Sequence, residues 1–312
     1  MKKDGVLVID KPEGFSSTQI VEKVKKKLKV RKAGHGGTLD PFATGVLPIC
    51  LGKGTKIAQF ILAGDKEYEG VMELGIETET YDITGEITAR HPVPKDLTLD
   101  DIQQVFEEFV GVLEQTPPPF SAAKLHGRPL YKYAREGLKV EKPPKKIEIL
   151  EFEALAFDPP RVKFRIYCGK GTYLRSLIHE VGKRLGCGAV LAELRRLRKG
   201  PFTLEEAITL EELEELLKQR EIERYIIPPA KALEFIPALT IGEDLALRIR
   251  NGRPLAISSL ANMIRLQKVS QKPRIPWLRL VTPDGKLVAV LEYPSDLYAS
   301  GNVKMVRVFP ET

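Results

Sequence analysis

Cysteine is scarce in this chain. Cys50, Cys168 and Cys187 are the whole complement, and no two of them form a C-x-x-C pair. That pattern argues against a disulfide framework and predicts a reduced, cytoplasmic setting. Histidine is equally thin. Its four residues lack the spacing of a ligand set, so no metal site is expected. No apolar run approaches the roughly 20 residues needed to span a bilayer, which predicts no membrane partner. Met1 to Asp4 run straight into an apolar strand and lack the hydrophobic region of a signal peptide. Gly52-Lys53-Gly54 and Gly169-Lys170-Gly171 both fall short of the phosphate-loop pattern, so no nucleotide cofactor is expected either. There is no internal repeat and no low-complexity tract. What is present is a chain of 312 residues, 43% hydrophobic and 29% charged, with room for about two domains and a substantial core.

The net charge of +7 is modest but unevenly placed. Lys23 to Lys32 holds seven Lys or Arg and no acid, and Lys124 to Lys146 holds eight against Glu136 and Glu141. Arg195, Arg196, Arg198 and Lys199 form a third basic cluster. Glu205 to Glu223 carries eight glutamates against Lys218 and Arg220. Those glutamates alternate with Leu210, Leu213, Leu216 and Leu217 at helical spacing and read as a solvated helix face. The basic runs form an oriented field that suits a polyanion. Tyr131 and Tyr133 interleave with Lys132 and Arg135 in a segment bounded by prolines, a composition suited to RNA backbone and base contacts.

The periodicities alternate between helix and strand, which predicts an α+β fold. Val6 to Ile9 reads as a strand, and Ser17 or Thr18 as the cap of a helix running to about Lys29. Lys66 to Leu74, Ile147 to Phe157 and Val162 to Tyr167 read as strands. Thr98 caps a helix from Leu99 to Val110, and two further helices are expected over Thr172 to Leu185 and Leu210 to Lys218. Thr116 to Pro119 opens an insertion that closes near Pro143-Pro144. Prolines at 228, 229 and 237 mark a boundary, after which Trp277 to Val281, Lys286 to Glu292 and Val303 to Phe309 are the clearest strands. Residues 237–312 hold eleven Lys or Arg against six Asp or Glu, most of the net positive charge. Ser258 to Pro276 departs from the strand pattern there and reads as an insertion.

The most informative stretch is Gly34 to Pro48, G-H-G-G-T-L-D-P-F-A-T-G-V-L-P. It sets one carboxylate, Asp40, in a loop of glycines, small hydroxyl residues and a proline. Such an acid can be a nucleophile or base, or it can be an ordinary turn aspartate. The whole string resembles the catalytic motif of the bacterial tRNA pseudouridine synthase B family. The resemblance extends to V-L-V-I-D-K-P-E-G-F-S-S from Val6, to Lys66-Glu67-Tyr68, and to S-A-A-K-L-H-G from Ser121 with R-P-L-Y-K-Y-A-R-E-G after it. It continues in K-G-T-Y-L-R-S-L from Lys170 and L-G-C-G-A-V-L-A-E-L-R-R-L from Leu185, covering about three quarters of the chain.

The resemblance implies a catalytic domain over 1–230, a mixed and largely antiparallel sheet with flanking helices, and an RNA-gripping insertion over about 116–146. It also implies a small barrel-like PUA domain over 237–312. It makes Asp40 the essential catalytic residue, acting on the nucleoside directly or by abstracting a sugar proton. Arg175 matches the arginine that pairs with that acid, and a planar guanidinium can hold a carboxylate with two parallel hydrogen bonds. Tyr68 matches a tyrosine packed against the flipped uracil and a candidate for handling the C5 proton. Tyr173 and Leu194 match pocket-lining positions, and His35 matches a histidine that helps extract or replace the base. Lys11 and Pro12 support the loop, while Lys124 and Arg128 contact RNA. The expected reaction isomerises uridine in the T loop of tRNA, at conventional position 55. The expected enzyme works without cofactor, as a monomer, with no obligatory protein partner. A guide-RNA-dependent synthase and a non-catalytic RNA-binding or RNA-folding protein are the alternatives.

Overall fold

Ser16, rather than Ser17 or Thr18, caps the first helix. Its hydroxyl accepts from the Gln19 backbone, and the Gln19 side chain accepts from the Ser16 N–H, closing a capping box around α1 (Ser17–Leu28). Ser17 is thereby released for another task in the site. In the computed structural model, residues 3–121, 123–138, 140, 142–269 and 275–310 are described.

The scaffold is a nine-stranded mixed sheet. Its main path is built from β1 (Gly5–Lys11), β2 (Thr44–Leu51), β3 (Lys66–Leu74), β4 (Gly111–Gln115), β5 (Lys145–Asp158), β6 (Arg161–Cys168) and β7 (Ala189–Lys199). The spatial order is β1-β2-β7-β3-β6-β5-β4, with the short strands Ala33–His35 and Phe202–Thr203 attached to β2 and β7. All neighbours on the main path are antiparallel except β2 and β7, which run parallel at Thr44 and Gly45. β1 ends the path but is almost wholly buried, because Ile208 and Ile227 bridge to its free edge.

The expected strands over 66–74, 147–157 and 162–167 are all present. The pattern missed β2, β4 and β7. β2 carries a proline, and β7 carries four basic residues, so neither shows an uninterrupted apolar alternation. Thr98 caps α2 (Leu99–Glu107) as expected, but this helix ends before Val110, because Gly111 turns the chain into β4 with φ of +110°. α2 and α3 (Leu174–Arg184) cover one face of the sheet, and α4 (Leu210–Gln219) joins α1 through Lys27 and Glu214. A single apolar cluster runs from Leu7 and Ile20 through Phe106, Phe164 and Ile178 to Leu213.

The C-terminal part is an open four-stranded sheet, β8 (Ala238–Thr240), β9 (Trp277–Val281), β10 (Leu287–Glu292) and β11 (Met305–Val308), in that order. No closed barrel forms among the described residues. Helices α5 (Glu243–Arg250) and α6 (Ile257–Leu266) fill its core, so part of the expected insertion at 258–276 is a packed helix; residues 270–274 lie outside the described ones. A second apolar cluster bridges the two parts: Val6, Val46 and Phe60 pack with Leu233, Val281, Val290 and Phe309. Phe60 meets Trp277 edge-on at 5.0 Å. No helix among the described residues is long and apolar enough to cross a membrane.

Candidate active site

The loop between Gly37 and Val46 is held by its backbone. Carbonyl groups that are not in water must find donors, and here five in a row do. The Gly37 and Thr38 carbonyls accept from the Arg196 guanidinium, both at 3.1 Å. The Leu39 carbonyl accepts from the Ser17 hydroxyl at 3.0 Å, which in turn accepts from the Leu39 N–H at 2.8 Å. The Asp40 carbonyl accepts from the Ala43 N–H, and that of Pro41 accepts from Lys11 Nζ at 3.0 Å and from the Gly14 N–H at 2.9 Å. Lys11 also donates to the carbonyls of Pro12 and Phe15. The released Ser17 and the buried Lys11 thus tie the first strand and helix to the acid loop.

On this fixed backbone the Asp40 side chain is 35% exposed and meets Arg175, whose side chain is only 6% exposed. Nε of Arg175 lies 2.9 Å from Oδ2 and Nη2 lies 3.2 Å from Oδ1, a two-pronged contact between the pair that the family resemblance implied. The remaining donors of Arg175 are also committed. Nη1 donates to the Thr80 carbonyl and Nη2 to the Phe120 carbonyl, both at 3.0 Å. A second carboxylate, Asp82, stands 3.6 Å from Nε and is itself buried, with a side chain 7% exposed. Asp82 accepts from the hydroxyls of Thr80 and Thr84 and from the Thr84 N–H. Arg175 is therefore shared between two acids and two backbone carbonyls, which fixes its plane.

The other expected residues fall into two groups. Tyr173 precedes α3, with its backbone N–H and carbonyl both held by the Gln115 side chain. Burial pushes its phenol pKa up, and the nearby charges of Arg175 and Asp40 act on it in opposite directions. His35 sits on the short strand beside β2; its Nδ1 is buried with no hydrogen-bond partner among the described residues. Burial, aided by the Arg196 charge, holds its pKa below the ordinary value. Lys11 is pushed down to about 8 by burial, against the attraction of Asp40. Tyr68 and Leu194 are buried side chains on neighbouring strands, packed in the main apolar cluster. Lys124 and Arg128 lie on a two-stranded hairpin in the insertion. Lys124 is exposed, whereas Arg128 pairs with Glu136 and stacks over Tyr133 at 4.6 Å.

The third basic cluster is not the open surface that its composition suggested. Arg196 and Lys199 are completely buried, and Arg195 and Arg198 pair with Asp10 and Glu67. Lys199 donates to the Leu62 carbonyl at 3.0 Å, and burial, with the charges of Lys66 and Arg196, pushes its pKa down to about 6. Arg196 could have been found from strand alternation, which sets it on the same side as the buried Leu194. Asp82 could have been found from the threonines that surround it, a local acceptor–donor pattern typical of turns.

Two family models match the chain. One, the N-terminal domain of the TruB family of pseudouridylate synthases, covers residues 25–174, and the other, the C-terminal domain of tRNA pseudouridylate synthase B, covers 175–234. A protein of Syntrophus aciditrophicus named tRNA pseudouridine synthase B is 41% identical over 98% of both chains. One of the same name from Pseudomonas aeruginosa is 40% identical over 94% of this chain and 92% of its own. Among solved structures, a chain from a Cbf5-Nop10-Gar1 complex superposes with a TM-score of 0.74 at 31% identity, over 98% of this chain and 85% of that one.

Proposed function

The chain belongs to the TruB family of pseudouridylate synthases, and on that premise we propose that it isomerises uridine to pseudouridine in the T loop of tRNA, at conventional position 55, with Asp40 as the essential catalytic residue. The observation that carries the reading is the two-pronged Asp40–Arg175 contact on a loop whose carbonyls are all engaged from Gly37 to Pro41.

The reaction breaks the bond between N1 of uracil and C1′ of the ribose and joins C5 to C1′. C5 loses a proton and N1 gains one, so atoms and electrons balance without an oxidant, reductant or energy source. The target base must leave its stack to be reached. Asp40 then supplies the negative charge that assists cleavage, as nucleophile at the nucleoside or as base toward the sugar. Arg175 holds that carboxylate in one orientation, so little rotational freedom is lost on the way to the transition state. Tyr173, Leu194 and Tyr68 serve as apolar walls for the displaced uracil, and His35 acts where the base leaves the helix. Lys124 and Arg128 contact the RNA backbone.

We also assign the catalytic domain to residues 1–230, with its RNA-gripping insertion at about 116–146, and a PUA-like RNA-binding domain to 237–312. The charge excess of the second segment supports an RNA-facing role, as do its own sheet and apolar core. The enzyme works as a cytoplasmic monomer without an obligatory partner. A guide-RNA-dependent reading draws on the likeness to the chain of the Cbf5-Nop10-Gar1 complex and to another from an H/ACA RNP bound to a substrate RNA. The higher identity to the curated relatives, over nearly the whole chain, favours the unguided one. The test is to incubate an unmodified tRNA transcript with the purified protein alone and map the product. Pseudouridine at position 55 is expected. An unmodified transcript that becomes modified only on addition of a guide RNA would overturn the unguided reading.

A further inference from the structure

We propose that Arg196 is the positioning residue for Asp40: its buried guanidinium staples the two stems of the acid loop together and thereby sets where the carboxylate stands. The inference rests on the reading of Asp40 as the catalytic group.

Arg196 is fully buried, and its hydrogen bonds run to three backbone carbonyls. Nη2 and Nη1 hold Gly37 and Thr38 before the acid, and Nε holds Val46 after it, at 2.7 Å. Its backbone is opposite Gly45 in the parallel pairing of β2 and β7. A Cβ on Gly45 would stand 2.2 Å from the Arg196 carbonyl oxygen, so the returning stem is pressed directly onto this residue. On the incoming stem, a Cβ on Gly37 would lie 3.3 Å from Cε of Lys199 and 3.6 Å from Nη1 of Arg196, so both buried cations pack against it. One side chain therefore spans both ends of a loop with Asp40 near its middle.

The choice of residue is informative. Burying a cation is costly, and hydrogen bonds to neutral carbonyls return less than a carboxylate partner would. A packing role alone would be served as well by an apolar side chain of similar volume. Only a planar, multiply donating group can reach two consecutive carbonyls and a third across the loop. Arg175 acts on the carboxylate itself, whereas Arg196 acts on the backbone that carries it. Neither substitutes for the other, and both set the position of the same two oxygen atoms.

The experiment uses the full chain with Arg196→Lys and Arg196→Met, alongside Asp40→Asn, Arg175→Lys and the Arg175→Lys/Arg196→Lys double variant. Single-turnover rate, tRNA affinity and melting curve are measured for each. Arg196→Lys keeps the charge and most of the volume, and it carries the test if Arg196→Met does not fold. The expected result is a fall in single-turnover rate of about 10²-fold for Arg196→Lys, from misplacement of the acid. Its tRNA affinity should stay within about threefold, since binding is spread over many phosphate contacts. The double variant should be much less impaired than the product of the two single effects, because both act through one geometry. A wild-type rate in Arg196→Lys, a loss of affinity that matches the loss of rate, effects that multiply, or failure of Arg196→Lys to fold would each overturn the proposal and leave Arg196 structural. Turnover retained in Asp40→Asn would instead sink the functional reading beneath it.

Discussion

The acid loop and the insertion are both irregular, Gly- or Pro-punctuated segments, yet they are built on opposite principles. Between Gly37 and Pro41 every carbonyl has a donor: that of Asp40 is Ala43 within the loop, and the others are Lys11, Gly14, Ser17 and the buried Arg196 from outside it. In the insertion the contacts are short-range and exposed. Arg128 pairs with Glu136 and stacks on Tyr133, and Arg135 lies 5.4 Å over Tyr131. Among the described residues its root is anchored where the Phe120 carbonyl meets Arg175 and the Thr116 carbonyl meets Ser176, and Leu130 is buried further along. A catalytic group gains from being held in advance. A surface that grips a polyanion gains from charge and adaptability. The two segments should therefore fail in different ways when altered.

The largest expected effect is on chemistry alone. Asp40→Asn retains shape and hydrogen bonding but removes the negative charge, and product formation should fall by at least about 10²–10⁴-fold with tRNA affinity nearly unchanged. A product assay and filter binding on one preparation decide it; substantial residual turnover would remove Asp40 from the centre. Next comes Arg175→Lys, which keeps the charge but loses the two-pronged grip. Turnover should drop by about 10²-fold with the melting temperature preserved. If the lysine enzyme reacts at the wild-type rate, the pair seen at 2.9 and 3.2 Å does not matter to the reaction.

Gly45→Ala tests the preorganisation itself. Gly45 has φ of +99°, and an added Cβ would collide with the Arg196 carbonyl. The backbone strain is worth roughly 1–3 kcal/mol, so both melting temperature and turnover should fall together. A fully stable and active alanine protein would show that the loop is looser than its hydrogen bonds suggest.

The smallest effect on stability is expected in the insertion. Replacing Lys124, Arg128 and Lys132 by alanine should weaken tRNA binding and flatten its salt dependence. Stability should change by no more than about 0.5 kcal/mol per residue. Arg128 needs separate treatment, because its charge is already engaged by Glu136. Arg128→Ala alone should alter affinity less than Lys124→Ala, which removes an exposed charge with no ion-pair partner among the described residues. Titrations at several salt concentrations measure both. An unchanged affinity and slope in the triple variant would end the gripping role, and a large loss of melting temperature would make the segment structural.

Much of this was readable in one dimension. Thr98 as a cap, the strand from Lys66 to Leu74 and the helix that follows Gly171 are local patterns of capping, alternation and periodicity. The match of Gly34 to Pro48 and of K-G-T-Y-L-R-S-L to a known family points to Asp40 and Arg175 as the candidate pair. Local pattern was misleading where burial reversed it. Arg196 and Lys199 looked like surface charge and lie at zero exposure. Asp82 drew no attention, because an aspartate among threonines is first a turn residue.

The sequence by itself determined the helices and strands of clean periodicity, the Thr98 cap, the family, and Asp40 as the candidate acid. These depend on neighbours a few residues away or on a motif taken whole. Only the tertiary structure decided that Arg175 is shared with Asp82 and that Arg196 holds the backbone of the acid loop. Asp40 and Arg175 are 135 positions apart, and Arg196 reaches carbonyls 150 to 159 positions away. Hydrogen bonds of about 3 Å between such distant groups depend on sheet order, β2 beside β7 and β7 beside β3. That order is set by burial of one shared apolar core, which no local pattern encodes.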